Sequence, residues 1–175
     1  SLGPILYWMD DHIVRVTASG KRNSMKTGTV GAIDMQVALF ETAKGATIKV
    51  LRSSVALREP ALCTYSIYGD KGFLESGRDN YDNVGRRYFD GLDQKTAPTN
   101  IAVSSSDLEA PADARLGGHG TSEYYLAEDF LKAIEFDLTP AIDVVRGMDM
   151  TVPGLIAHEA AMKGGVWLDV PRITD

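Results

Sequence analysis

The sequence predicts an α+β fold, in which an open, largely antiparallel mixed sheet carries helices on one face. Up to about Ser76, apolar and polar residues alternate in short runs rich in β-branched and aromatic residues, which is typical of strands. From Gly117 onward, apolar residues recur at helical spacing. The connections between the strands are short, so neighbouring strands are expected to pair antiparallel.

The predicted sheet has one segment with two apolar faces. Its strand segments are residues 13–19, 32–42, 47–57, 62–68 and 72–76. In the second segment Ile33, Met35, Val37 and Leu39 lie on one side, while Ala38 and Phe40 lie on the other. Because the helices cover one face only, the other face needs a second layer. That layer is either another subunit or the loop that follows the last strand, folded over the sheet.

An irregular stretch is predicted between the strands and the helices. Residues 77–116 are rich in Gly, Asp, Asn and Pro and have weak periodicity, which indicates a long loop of the kind that often carries function. Thr121 or Ser122 is expected to cap the helix that follows. The residues of this helix expected to face the core are Ala127, Phe130, Leu131 and Ile134.

The last part of the chain carries the signals of one further helix and one strand. Thr139-Pro140 is a helix-start signal, and a helical run covers residues 150–163. Pro153 is expected to kink or start that run, and Gly164-Gly165 to end it. Residues 166–170 are expected to form a last edge strand.

Length and composition describe one ordinary globular domain. The chain has 175 residues, of which 44% are hydrophobic, and its formal net charge of -6 disfavours a nucleic-acid surface. No apolar stretch is long enough to cross a membrane, and we expect a cytoplasmic protein. Cys63 is the single cysteine, which excludes an internal disulfide, and its apolar surroundings predict a buried structural thiol. The three scattered histidines and this cysteine lack metal-ligand spacing.

The strongest candidate site is the glycine-rich turn at residues 117–120, which presents His119 at the start of a helix. Amides at a helix start, together with the tyrosines that follow, are groups that hold a polar ligand. Tyr124 is placed to donate to a ligand oxygen. A polar cluster suited to hydroxyl groups contains Arg78, Asp79, Asn80, Tyr81 and Asp82. The alternatives stay open: a turn with a surface histidine, a tyrosine in the core, and a solvated loop.

The remaining polar candidates favour structural roles. His158 shares a helical face with Leu155 and Met162, which predicts a core histidine. His12 is expected at the surface. Asp10-Asp11 is expected to be a solvated turn rather than a catalytic carboxylate pair.

Four segments, in order, resemble the C-terminal domain of the Gfo/Idh/MocA oxidoreductases, the superfamily of glucose–fructose oxidoreductase and inositol dehydrogenase. Residues 62–76, with Gly69-Asp70-Lys71-Gly72, resemble its "strand, G-x-x-G, strand" element. Residues 1–9 are similar to the helix that follows the family's catalytic His. Residues 117–134 resemble the helix start of the sugar-acting branch. The family's closing pattern is resembled by Ala141-Ile142-Asp143, Pro153-Gly154, His158-Glu159-Ala160-Ala161 and Gly164-Gly165.

This resemblance implies that the chain is the second half of a two-domain enzyme. In the family, an N-terminal Rossmann domain binds NAD or NADP and carries a Glu-Lys-Pro motif, while the C-terminal domain supplies the substrate pocket and a sheet used for oligomerisation. This chain has neither Glu-Lys-Pro nor a G-x-G-x-x-G after a strand. The family's catalytic His would immediately precede Ser1. We therefore expect residues 1–175 to form a single substrate-binding and oligomerisation domain that binds no cofactor and is inactive alone.

For the full-length protein, the resemblance implies an NAD(P)-dependent oxidoreductase of a sugar, cyclitol or related polyol, which forms a homo-oligomer through the open sheet face. The substrate pocket is expected where the helix start after Gly120, the loop after Ser76 and the segment at Ser1 meet, with His119 contacting the sugar. Two alternatives remain open. One is an NAD-dependent glycosidase of the same superfamily, which the Gly-Gly-His-Gly motif favours. The other is a non-enzymatic interaction or assembly domain.

Overall fold

Helices and antiparallel sheets make up the computed structural model, which describes residues 2–22, 33–55, 63–77, 84–104, 106–116 and 119–173. The helices of these ranges are α1 (Gly3–Met9), α2 (Ser122–Glu135) and α3 (Val144–Met162), and a 3-10 turn at Ala112–Arg115 precedes α2. Their strands are β1 (Ile13–Arg22), β2 (Ile33–Thr42), β3 (Thr47–Ser53), β4 (Ser66–Gly69), β5 (Gly72–Glu75), β6 (Val84–Phe89), β7 (Thr99–Ala102) and β8 (Leu168–Asp169). Every strand pairing described is antiparallel, so the predicted α+β class is confirmed.

The chain forms two compact units, and each has a sheet of its own. The first unit comprises Ser1–Ala56 and Thr139–Asp175, with the strand order β3-β2-β1-β8. The second unit comprises Leu57–Leu138, with the strand order β4-β5-β6-β7. Alternation along the sequence indicated which segments are strands, but it carried no information that they divide into two sheets.

In the first unit, one face of the sheet packs against α1 and α3. Val16 of β1 and Phe40 of β2 are buried there together with Leu6 of α1. α3 contributes the buried Pro153, Ala157 and Ala160, and the small side chains of the two alanines let the helix approach the strands closely. Small and large side chains from both the helices and the sheet therefore form this core.

The opposite face of the same sheet is apolar, as the sequence predicted, although Ile33, which was assigned to it, is buried. Met35, Val37 and Leu39 of β2 alternate with the buried Ala38 and Phe40, and each has about two-fifths of its surface exposed to solvent (41%, 41% and 38%). Apolar side chains at the centre of a sheet usually have a covering layer. Among the described residues of the first unit itself, the elements that pack on this sheet therefore lie on one face only.

The ends of α3 confirm one prediction and correct another. Asp143 caps the helix, because its carboxylate accepts from the Arg146 backbone N–H at 2.8 Å. The helix start predicted at Thr139-Pro140 is therefore wrong by about one turn, since the cap that satisfies the first amides lies further along the chain. Pro153 lies inside the helix and is buried. Gly164-Gly165, both at positive φ (82° and 88°), follow the helix as predicted.

Residues 77–116, predicted as an irregular loop, contain two strands of the second sheet. β6 pairs with β5, and β7 pairs with β6. The strand pattern is weak because Gly85 stands where an alternating apolar side chain is expected. A Cβ at this position would lie 2.8 Å from the Glu75 carbonyl oxygen, so close packing of the strands requires glycine here.

Three predictions of burial are wrong in the described structure. In α2, Phe130, Leu131 and Ile134 are 61%, 62% and 67% exposed, and no residue of the helix is buried. His158 and Cys63 are exposed as well. Helical spacing identifies an apolar face, but it does not establish that another element covers that face. Among the described helices, none is long and apolar enough to span a membrane.

Candidate functional site

The start of α2 holds His119 against a carboxylate of its own helix. The imidazole Nδ1 lies 2.6 Å from Glu123 Oε1, and the His119 backbone N–H donates to both carboxylate oxygens at 3.1 and 3.3 Å. Because an ionised carboxylate only accepts, Nδ1 carries a proton, and in the neutral ring Nε2 is then the acceptor nitrogen. The side chain of His119 is 84% exposed, so a ligand can reach it.

Glu123 also binds a backbone amide that the sequence analysis assigned to a polar ligand. Amides at a helix start attract an anion, and here the anion is this carboxylate, which takes the His119 N–H. The Ser122 hydroxyl donates to the His119 carbonyl at 2.9 Å and tightens the same turn. The hydrogen bond from His119 holds the pKa of Glu123 below its ordinary value. The His119 amide is therefore part of a His119–Glu123 pair and is not available to a ligand.

A second side-chain pair at this helix start joins a tyrosine hydroxyl to a carboxylate. The Tyr125 hydroxyl donates to Asp107, whose backbone N–H donates in turn to Thr121 Oγ1 at 3.0 Å. Thr121 thus stands at the predicted capping position, but its hydroxyl holds the preceding loop instead of the helix. The bond to Asp107 raises the pKa of Tyr125 to about 12 and lowers that of Asp107. The Tyr125 phenol stays neutral, with its proton committed to Asp107.

Of the two tyrosines at the start of α2, Tyr125 is exposed and hydrogen-bonded to a carboxylate, while Tyr124 is half-buried. Tyr124, the predicted ligand contact, is half-buried and lies edge-on to the Tyr125 ring, with 5.3 Å between the ring centroids. The partner of Tyr125 is Asp107, a residue so distant along the chain that no local pattern connects the two. The role of Tyr124 in binding stays a prediction.

Other predicted contacts lie outside the described residues. These are Arg78, Asp79 and Tyr81, together with Asn80, Asp82 and Ser1. The pocket expected to include them and His119 therefore also stays a prediction.

The first unit contains a cavity of about 270 Å³ between α1, α3 and the core-facing side of β2 and β3. Gln36 and Arg52, which lie opposite each other on the two strands, line it. Arg52 Nη1 donates to the Ile33 carbonyl at 2.8 Å. Gln36 Nε2 is buried without a hydrogen-bond partner among the described residues, which costs about 1–3 kcal/mol. The strand pattern gave no reason to single out these two residues, because their pairing depends on the register of the sheet.

A more polar cluster surrounds the turn after α1. The Asp11 side chain is 1% exposed and accepts from the backbone N–H groups of His12 at 2.8 Å and Lys44 at 3.2 Å. Burial alone would raise the pKa of Asp11, but hydrogen bonds from Thr42 and these amides lower it overall. The predicted solvated turn therefore holds for the exposed Asp10 and is wrong for Asp11, which fastens the turn to the β2–β3 hairpin. His12, predicted at the surface, is partly buried.

None of these polar groups forms a metal site in the ranges that the structure covers. Groups of three or more His, Cys, Asp or Glu side chains suited to a metal ion do not occur among the described residues. The ion pairs near Asp11 are instead between acids and arginines, Arg146 with Asp10 at 3.0 Å and Arg172 with Asp149 at 3.3 Å.

Comparison with known proteins gives matches in structure but none in sequence. No protein-family model and no curated protein matches the chain. A levoglucosan dehydrogenase, solved with NADH and levoglucosan, has a TM-score of 0.75 and 22% identity over 98% of this chain. An inositol dehydrogenase homolog from Azotobacter vinelandii, complexed with NAD+, gives 0.62 and 21% over 92%. An aldose-aldose oxidoreductase from Caulobacter crescentus, complexed with glycerol, gives 0.69 and 16% over 97%.

These neighbours are about twice as long as this chain. The chain spans 48% of the levoglucosan dehydrogenase and 44% of each of the other two proteins. The chain therefore has the fold of about half of each of these proteins, one of which is an inositol dehydrogenase homolog. At the level of the fold, this agrees with the resemblance stated from the sequence.

Proposed function

We propose that this chain is the substrate-binding and oligomerisation domain of a Gfo/Idh/MocA-type, NAD(P)-dependent oxidoreductase. The reaction is hydride transfer between the nicotinamide and a carbinol carbon of a sugar, cyclitol or related polyol. The observation that supports this most is the match of nearly the whole chain to one half of a sugar dehydrogenase. The protein acting in the cell is then longer than 175 residues and cytoplasmic.

The described residues do not fit a dinucleotide site, and this proposal assigns that site to the other half of the protein. A Rossmann site needs parallel βαβ units with a glycine-rich loop. Every described strand pairing here is antiparallel. We expect the 175-residue chain alone to bind neither NAD nor NADP, and calorimetry with NADH tests this directly.

The substrate contact assigned to this chain is His119. Its Nε2 is the acceptor for a substrate hydroxyl, while Glu123 holds the opposite ring nitrogen. Tyr124, Arg78, Asp79 and Tyr81 complete the set of proposed substrate-binding residues. The open face of the first sheet, marked by Val37 at its centre, is reserved for a second copy of the protein.

A glycosidase that uses NAD in a redox cycle is the second candidate. The observation that favours it is the Gly117-Gly118-His119-Gly120 motif, which resembles the sugar-acting branch of the superfamily. In such an enzyme, the hydride returns to the same substrate molecule, so NADH does not accumulate.

Turnover by the full-length protein separates the two candidates. The gene upstream of Ser1 is sequenced, and the complete protein is incubated with NAD+ or NADP+ and a panel of sugars and cyclitols. Net formation of reduced nicotinamide supports the oxidoreductase. Release of sugar from aryl glycosides that needs catalytic NAD, without net reduction, supports the glycosidase. The absence of a nucleotide-binding half from the gene would refute both and favour an assembly domain.

A further inference from the structure

We propose that the cavity lined by Gln36 and Arg52 binds a monosaccharide-sized ligand that carries a carboxylate, such as a sugar acid. This site lies within the first unit and involves none of the residues around His119. The proposal rests on the proposed function only for the sugar part of the ligand. The carboxylate is inferred from the cavity itself.

The cavity joins two polar side chains to an apolar lining, the half-buried Gln36 and the exposed Arg52. Gln36 and Arg52 are cross-strand partners on the side of the sheet whose neighbouring pair is Ala38 and Val50. Buried polar groups usually have hydrogen-bond partners, yet Gln36 Nε2 has none among the described residues. A ligand oxygen supplies the acceptor that this amide lacks.

The walls of the cavity leave room for a small ligand. Gly154 of α3 lines the cavity, and a Cβ built on it would meet no atom within 4 Å. Gly3, at the start of α1, and Met150 of α3 lie on the same cavity. A volume of about 270 Å³ corresponds to roughly nine water molecules, which suits one sugar ring and is too small for a dinucleotide.

The charge of the lining selects the ligand. Arg52 is the charged residue of the cavity, and no Asp or Glu occurs among its described lining residues. A guanidinium binds a carboxylate through two parallel hydrogen bonds. Because Nη1 already donates to the Ile33 carbonyl, the remaining donors of Arg52 suit a singly charged carboxylate better than a doubly charged phosphate. The apolar walls, which include Phe40, suit the carbon face of a sugar ring.

Calorimetry on the 175-residue chain tests the site, with glucuronate, glucose and glucose 6-phosphate as probes. We expect glucuronate to bind about tenfold or more tightly than either of the others. Arg52→Gln should weaken glucuronate binding by about tenfold or more. Lys49→Gln is the matched control, because it removes a positive charge from the opposite face of the same strand and should leave binding unchanged.

A cavity-filling pair of variants separates the site from the stability of the fold. Gly154→Leu should abolish glucuronate binding while raising the unfolding midpoint by about 2–4 °C, since leucine favours a helix over glycine. Gly147→Leu, in the same helix and equally free of steric contact, should raise the midpoint and leave binding intact.

Several outcomes would overturn the proposal. These are equal binding of glucose and glucuronate, preference for glucose 6-phosphate, an effect of Lys49→Gln equal to that of Arg52→Gln, and binding that survives Gly154→Leu. The test does not depend on turnover. Glucuronate binding without any hydride transfer by the full-length protein would therefore refute the proposed function and support this site.

Discussion

The helices α2 and α3 look alike in sequence but differ in what they bury. Both carry apolar residues at helical spacing and begin next to residues suited to capping. In α3, Ala157 and Ala160 are buried against the strands of the first unit, while the larger Leu155 is exposed. In α2, the large Phe130 and Leu131 are exposed and no residue is buried.

This difference shows that the size of an apolar residue does not by itself mark the packed face of a helix, since α3 packs Ala157 and Ala160 together with Pro153 and the partly buried Ile156. Alanine lets a helix approach a sheet closely enough for the large strand residues to fill the space between them. Large apolar residues on a helix indicate a surface that needs a partner, whether or not one is present. The exposed face of α2 and the open face of the first sheet are both surfaces of this second kind.

Enlarging the packed face of α3 should have the largest effect. Ala160 is fully buried, at 0% exposure, so Ala160→Leu forces extra carbons into a filled core and should lower the free energy of unfolding by about 3 kcal/mol. Ala127→Leu, the same change on the exposed surface of α2, should alter it by less than about 0.5 kcal/mol. Urea unfolding of both variants measures the comparison, and equal losses would contradict it.

Placing a lysine on the open face of the first sheet, or on the exposed face of α2, should show which of these two surfaces forms a dimer interface. Val37 lies at the centre of the open sheet face, between Ser19 and Leu51 on the flanking strands. If that face forms the interface, Val37→Lys should weaken dimerisation by about 2 kcal/mol, roughly thirtyfold. Leu131→Lys, on α2, is the matched control and should have little effect. Sedimentation measures both, and a wild-type chain that is monomeric at micromolar concentrations would refute the interface.

The sequence predicted the first unit better than the second for a physical reason. β1 and β2 are long, and the alternation of β2 is regular because one of its faces is buried or half-buried along the strand. β6 interrupts its alternation with Gly85 and two arginines, since close strand contact matters more there than burial. Local pattern therefore identifies long, half-buried strands and misses short ones that depend on their neighbours.

The candidate sites show the same limit. His119 stood out because a glycine-rich turn and a helix start surround it in sequence. Its partner Glu123 is a local contact, one helical turn away, whereas the pairs Tyr125–Asp107 and Gln36–Arg52 join distant parts of the chain. Pairs of the latter kind become visible only when the tertiary fold or the strand register is known.

Replacing His119 should reduce activity, whereas replacing His158 should affect neither activity nor stability appreciably. In the full-length protein, His119→Ala should lower kcat/KM by about tenfold, or about 1.4 kcal/mol, because a substrate contact is lost. His158 is exposed, so His158→Ala should change the free energy of unfolding by less than about 0.5 kcal/mol, contrary to the burial its spacing suggested. Steady-state kinetics and urea unfolding of both variants test the assignment, and activity that follows His158 instead would reverse it.

The smallest effect expected is the pH dependence that Glu123 gives to the start of α2. The hydrogen bond from His119 lowers the pKa of Glu123 from its ordinary 4.5, so the folded state favours the ionised carboxylate. A lowered pKa contributes stability above pH 4.5, and this contribution is lost as the pH falls through the folded-state value. Glu123→Gln should therefore lower the unfolding midpoint at neutral pH, and its difference from the wild type should shrink as the pH falls below the folded-state pKa of Glu123. Glu135→Gln, an exposed position at the other end of the helix, is the matched control and should not show this change with pH. A wild-type advantage that persists at low pH would mean that Glu123 acts through packing rather than through its charge.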